Sequence, residues 1–164
     1  MNATDKLERQ SYTLVVVDDD EIVLDSLKTL LSSKLIYNVI TFVSAIEAFH
    51  YIENNKVDLV ISDHHMAEMD GMTFLSKVKQ LKPDVPRIIL TGYSSKMNAI
   101  KAINEIGVFQ YIEKPWNNDD LLIVIRNGLD KRKLTKQLDE KIKEINKVYA
   151  ELQNLHMEII KTFV

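Results

Sequence analysis

The sequence predicts an α/β domain of the doubly wound class, a five-stranded parallel sheet covered by helices on both faces, followed by a long helical extension. Three observations predict it. Short β-branched runs alternate five times with longer segments of helical period from Thr13 onward. The connections between them are brief, which suits parallel strands joined through crossover helices. After Gly128 the alternation stops, and Lys, Glu, Leu and Ile dominate with no further proline or glycine.

Each element has a local cause. Thr13-Leu-Val-Val-Val17 is brief, continuous and apolar, as a strand buried on both faces should be. Ile22 to Ser33 carries apolar residues at 22, 23, 27, 30 and 31, one helical stripe. Val39-Ile-Thr-Phe42 is the second strand, and Ser44 with Glu47 three residues on is a capping-box signature for a helix to about Asn54. Asp58-Leu-Val-Ile-Ser62 is the third strand, and Thr73 to Leu81 a helix closed before Pro83. Arg87-Ile-Ile-Leu90 precedes a helix from about Lys96 to Ile106, with Gly107 as its stop signal. Phe109-Gln-Tyr-Ile112 ends at Pro115, and Asp119 and Asp120 open the last helix, where negative charge suits the dipole.

Residues 1–11 are polar and of mixed charge, and are expected to be a flexible N-terminus; the domain spans 12–130 and a helical or coiled-coil connector 131–164. Within the connector, Leu138, Ile145, Leu152 and Ile159 recur every seven residues, with Ile142, Tyr149, His156 and Phe163 at the complementary position. Such a seam suits a homodimer through residues 131–164. Gly128 is expected to act as a joint between the domain helix and the extension, since glycine inside a helix costs about 1 kcal/mol.

Composition narrows the function classes. With a net charge of -3, no basic excess points to nucleic-acid binding by this segment. The absence of cysteine excludes disulfides, thiolate metal sites and cysteine nucleophiles. No signal-peptide pattern opens the chain and no apolar run approaches the roughly 18 residues of a membrane span, so a cytoplasmic location without membrane contact is expected.

The chemistry gathers at strand ends. In open α/β sheets the active crevice lies beyond the carboxyl ends of the strands. Strand one runs into Asp18-Asp19-Asp20, strand three into Asp63, strand four into Thr91, and strand five into Lys114-Pro115. Parallel strands place all four endings on one rim. Carboxylates crowded there resist ionising together, which a hard, oxygen-loving cation relieves; Mg²⁺ is the expected cofactor. Lys114 adds a compact positive charge and Thr91 a hydroxyl donor. Two acids for a metal, one nucleophilic acid, one cation and one hydroxyl make a phosphoryl-transfer set, and an ionised carboxylate needs no general base. Asp20 is expected to begin the next helix, and a proline after Lys114 suits a cis peptide. His64 and His65 are not expected to form a transition-metal site, because adjacent residues on an extended segment point apart. His50 and His156 read as surface or seam residues, and Trp116 as a packing anchor.

Leu-Val-Val-Val-Asp-Asp-Asp (14–20), Asp-Leu-Val-Ile-Ser-Asp-His-His-Met-Ala-Glu-Met-Asp-Gly (58–71), Ile-Ile-Leu-Thr-Gly (88–92) and Tyr-Ile-Glu-Lys-Pro-Trp (111–116) resemble, in order and spacing, the signatures of the receiver domain of two-component response regulators. The resemblance covers about residues 12–130. It implies a flavodoxin-like sheet of order 2-1-3-4-5 and a switch phosphorylated by a sensor histidine kinase or phosphotransfer protein, with self-dephosphorylation but no other enzymatic activity. By the same resemblance Asp63 is the phosphoacceptor, Asp19 the direct metal ligand and Asp18 the acid acting through water. His65 would lend its backbone carbonyl to the metal. Thr91 and Lys114 would grip the phosphoryl oxygens, and Tyr111 would be the aromatic switch partnered with Thr91. Ala67 departs from the usual proline of its loop, and Gly92 and Tyr93 fill variable positions. Residues 151–163 are similar to the lead-in helix of HD-GYP cyclic-di-nucleotide phosphodiesterases, so an output domain of that or another type is expected to follow.

Two other classes share parts of this pattern. An aspartyl-phosphate phosphohydrolase of the haloacid-dehalogenase group would carry a second acid two residues after its nucleophile, where this chain has His65. A degenerate receiver serving only as a binding or dimerisation module would lack one of the five expected groups, all of which are filled here.

Overall fold

The computed structural model describes residues 12–34, 37–92 and 96–164; the N-terminal segment 1–11 and Tyr93 lie outside the described residues. Ten elements follow in strict alternation: β1 (Thr13–Val17), α1 (Glu21–Lys34), β2 (Asn38–Phe42), α2 (Ala45–Asn54), β3 (Leu59–Asp63), α3 (Gly71–Leu81), β4 (Arg87–Thr91), α4 (Lys96–Ile106), β5 (Gln110–Glu113) and α5 (Asn118–Thr162). All strand pairings are parallel and the order is β2-β1-β3-β4-β5. The fold is thus the flavodoxin-like arrangement that the sequence predicts, with a long C-terminal helix.

Alternation along each strand builds two core layers, because successive side chains point to opposite faces of the sheet. Val15, Val17, Val60 and Ile89 pack with Ala48 and Ile52 of α2 and Phe74, Leu75 and Val78 of α3. Leu14, Val16, Leu59, Ile61, Ile88 and Leu90 face the other way, onto Leu24, Leu27 and Leu31 of α1 and Leu121, Ile125 and Leu129 of α5. Both faces of the sheet are covered, which explains why the strand sequences are continuous apolar runs.

Local chemistry sets the element ends. Ser44 caps α2 by accepting from the Glu47 amide at 3.4 Å, and Asp20 caps α1 by accepting from the Ile22 amide at 2.9 Å. Helix α3 starts two residues before the predicted Thr73, since Asp70 is its N-cap and accepts from the Thr73 amide at 3.0 Å. Gly107 ends α4 at a φ of 68°, the left-handed region that a glycine reaches without strain.

Gly128 corrects the expectation of a joint. Helix α5 continues through it, and the residue is buried within the domain. A Cβ there would come within 3.3 Å of Leu59 Cδ1 and of the Phe109 ring. The glycine lets the helix lie close against β3 and the approach to β5, a tertiary cause that helix propensity does not reveal. Compact packing divides the chain at Leu129 and Asp130. Residues 130–162 form one continuous stretch of α5 without a buried residue. None of the described helices is long and apolar enough to cross a membrane.

Substituting Gly128 tests the close approach. Gly128→Ala should stay within about 1 kcal/mol of the parent, the helical gain offsetting the crowding. Gly128→Leu, forced against Leu59 and Phe109, should lose about 1–3 kcal/mol, as read from urea unfolding midpoints at constant slope.

Candidate functional site

The sheet order places a topological switch between β1 and β3, because the chain leaves β1 toward β2 on one side and returns to β3 on the other. The register then does the positioning. Val17 lies opposite Ser62, so the next residues, Asp18 and Asp63, emerge side by side at the carboxyl end of the sheet. Asp63 in turn lies opposite Leu90, and Thr91 opposite Glu113, one residue before Lys114. The Lys114 amide donates to the Thr91 carbonyl at 2.8 Å, which holds the backbone of the lysine against the end of β4. The Lys114–Pro115 bond is cis.

From that position the Lys114 side chain reaches across β4. Its Nζ stands 2.8 Å from Asp18 Oδ2 and 2.8 Å from Asp63 Oδ1. The second Asp18 oxygen, Oδ1, accepts from the Asp20 amide at 2.9 Å. Asp18, Asp19 and Asp63 offer carboxylate oxygens that all lie within 4.8 Å of one another, the one such cluster of metal-capable side chains among the described residues. Asp18 and Asp63 are buried and Asp19 is exposed, so the cluster opens to solvent on one side.

The charge balance is uneven. Burial pushes the Asp18 carboxyl above the usual carboxylate range; Lys114 and the Asp20 amide pull it down, and the neighbouring Asp63 adds to the rise. Lys114 loses solvation as well, yet its two carboxylate partners hold its ammonium above the ordinary lysine value. The two directions are compatible. One ammonium shared between two acids stays protonated, but it does not fully repay a carboxylate removed from water. A hard divalent cation fits the remainder: the donors are all oxygens, they converge, and the exposed Asp19 leaves a side open for water or phosphate oxygens.

The other predicted residues take definite places. Thr91 is fully buried at the end of β4, and its hydroxyl donates to the Gly92 carbonyl at 3.2 Å. Tyr111, opposite Ile89, is partly buried and packs on the core layer that α2 and α3 cover. His64 is buried, its amide donates to the Leu90 carbonyl and burial lowers its pKa; contrary to the expectation that the two neighbours point apart, its ring lies 4.3 Å from that of the exposed His65, tilted by 33°, because the chain leaves the extended strand at this point. Neither imidazole belongs to the acidic cluster. Trp116 packs on the core layer of α1 and α5, and His50 pairs with Glu53 at 3.2 Å on the surface.

Two features escaped the sequence reading. Gly71 lies so near β3 that a Cβ would stand 2.0 Å from the Asp63 carbonyl oxygen, while its amide donates to the His64 carbonyl at 2.8 Å. In the sequence it stands only as the last residue of the 58–71 signature. Glu68, in the loop after β3, accepts from the Ser44 hydroxyl at 2.7 Å and ties that loop to the start of α2. No local pattern signals a contact over 24 residues.

Comparison with known proteins agrees with this geometry. Residues 14–126 match the response regulator receiver domain family, and the chain belongs to it. The transcriptional regulatory protein GlrR of Escherichia coli is 39% identical over 117 residues, 71% of this chain and 26% of that protein. The chain therefore spans about a quarter of the length of such curated relatives. Among solved structures, a response regulator receiver domain protein from Clostridium thermocellum is 36% identical with a TM-score of 0.71, over 76% of this chain and 98% of that one. The signal receiver domain of an HD domain-containing protein from Pseudomonas fluorescens Pf-5 is 35% identical with a TM-score of 0.71, again over 76% and 98%.

Two measurements test the site. Gly71→Ala should destabilise the fold by about 3 kcal/mol or more in urea unfolding, because backbone rather than a flexible side chain must move. Magnesium at a hundredfold excess over its dissociation constant should add about 2.7 kcal/mol, seen as a rise in Tm at neutral pH. A carboxyl whose folded pKa is raised stabilises the fold below its unfolded value and loses that contribution as pH rises through the folded one. The magnesium effect should accordingly shrink as pH falls and Asp18 takes up a proton, and Asp19→Asn should diminish it at neutral pH.

Proposed function

We propose that this chain is a phosphorylation-dependent switch, accepting a phosphoryl group on Asp63 from the phosphohistidine of a sensor histidine kinase or phosphotransfer protein. The observation that carries the reading is Lys114 Nζ at 2.8 Å from both Asp18 and Asp63, a cation held at the rim beside a buried carboxylate. In the transfer, an Asp63 carboxylate oxygen forms a bond to phosphorus as the P–N bond breaks, and the electron pair stays on the leaving imidazole nitrogen. Asp18, Asp19, Asp63 and the His65 carbonyl would hold Mg²⁺, which supplies charge neutralisation when bound. Lys114 would turn from carboxylate to phosphoryl oxygen, and Thr91 would exchange the Gly92 carbonyl for another.

Movement of Thr91 would leave space beside β4 for Tyr111, changing the face built from α4, β5 and α5. Phosphorylation then acts by shifting a population between two arrangements, each with its own surface. The same chemistry run with water removes the phosphoryl group, and this segment has no other enzymatic role. The proposal places the protein in the cytoplasm, without membrane or direct nucleic-acid contact by this segment. Residues 131–164 pair two copies and pass the change to an output domain, of the HD-GYP type that residues 151–163 resemble or of another type.

Incubation with magnesium and acetyl phosphate or a cognate kinase should add one phosphoryl mass to the parent and none to Asp63→Ala. Lys114→Met should lower the urea unfolding midpoint, since it leaves two carboxylates without their shared cation, and in the folded fraction the change that follows labelling should be lost. Undiminished labelling of Asp63→Ala would overturn the assignment.

A further inference from the structure

The segment 65–70 leaves β3 and returns to α3, its ends fixed where the Gly71 amide donates to the His64 carbonyl at 2.8 Å and where Asp70 caps the helix. Fixed ends leave the middle of a loop free to bow. Met66 and Met69 rest half-buried on the core layer that α2 and α3 cover. A methionine side chain has three rotatable bonds and adapts to irregular gaps, so it fills space without fixing the backbone that bears it. Glu68 differs in kind. Its Oε2 accepts from the Ser44 hydroxyl at 2.7 Å, a charge-assisted bond with a defined direction.

Ser44 is itself firmly placed. Its carbonyl accepts from the Ala48 amide at 3.1 Å and its hydroxyl oxygen from the Glu47 amide at 3.4 Å, which makes it the N-cap of α2. The Glu68 carboxylate is therefore bound at the positive end of a helix dipole, where negative charge is favoured. Two residues before Ser44, the Phe42 carbonyl accepts from the Asp18 amide at 3.2 Å. The end of β2 thus holds the backbone of Asp18 and, through Ser44, the middle of the loop that carries His65. Glu68 itself lies outside the cluster of Asp18, Asp19 and Asp63.

We propose that the Ser44–Glu68 hydrogen bond sets the magnesium affinity of the rim by holding the loop of His65 in place, with Glu68 a positioning residue. The inference rests on the reading of Asp18, Asp19, Asp63 and the His65 carbonyl as the metal's ligands. Removing a partner that orients a ligand from outside typically weakens metal binding about 10–100-fold; an exposed bond that acts through the backbone should do less, about three- to tenfold.

Calorimetric titration of the full chain with magnesium, well below each variant's unfolding midpoint, tests it. Glu68→Ala removes the acceptor. Ser44→Gly removes the donor, and glycine at an N-cap leaves the helix nearly as stable. Each should raise the magnesium dissociation constant about three- to tenfold. The double variant should stay within about twofold of either single one, because the same bond is lost in all three. Glu68→Gln, which keeps an oxygen for Ser44 but not the charge, should stay within about twofold of the parent. At saturating magnesium, labelling of Asp63 by acetyl phosphate should return to the parent's level in every variant, which a damaged loop would not allow. Unchanged affinity in Glu68→Ala and Ser44→Gly overturns the inference, as do single losses that multiply in the double variant. So does a Glu68→Gln as weak as Glu68→Ala, since the carboxylate would then act by its charge alone. A parent that binds no magnesium removes the metal site and this inference together. The expected affinities without labelling of Asp63 remove the switch and leave the inference standing.

Discussion

The rim of this sheet depends on one shared proton-bearing group. Asp18 and Asp63 emerge beside each other because β1 and β3 are adjacent and in register, and without compensation their charges would oppose folding. The Lys114 ammonium, 2.8 Å from each, makes their proximity tolerable. It does so incompletely, since burial still pushes Asp18 toward its protonated form. Two acids thus share one ammonium at an edge that Asp19 leaves open to solvent.

Much of this was legible in the residues. The five apolar runs were correct to within a residue or two, because a strand buried on both faces has almost no freedom in composition. The helix starts that carry their own caps, Ser44 and Asp20, were also readable, as was Gly107. The convergence of Asp18, Asp63 and Lys114 followed from strand polarity alone, since any parallel sheet collects its carboxyl ends on one edge. Thr91 was marked by its strand end as a hydroxyl donor, whereas the roles given to the His65 carbonyl and to Tyr111 rested on resemblance, with no local signal in the residues themselves.

What stayed hidden was set by distance in sequence. Gly128 read as a helix weakness, yet its missing side chain is occupied by Leu59 and Phe109, residues fixed by strands elsewhere in the chain. Helix α3 starts two residues before the apolar period shows it, because its N-cap Asp70 is followed by Gly71, a poor helix former. The Ser44–Glu68 bond links two loops that only the folded sheet brings together. Periodicity reports which face of an element is covered, but not how closely.

The contacts around Gly71 bear on how this family tolerates change. The His64 amide is fastened to Leu90 and the His64 carbonyl to Gly71, so the six residues from His65 to Asp70 form a closed noose whose two ends are knotted together beside the Asp63 carboxylate. With the knot tied by backbone, Glu68, bound by the Ser44 hydroxyl, and Asp70, the cap of α3, add side-chain ties of their own within it. An alanine at 67 in place of a stiffening ring is then tolerated, because the two ends of the segment are held by main-chain atoms rather than by the rigidity of what lies between them.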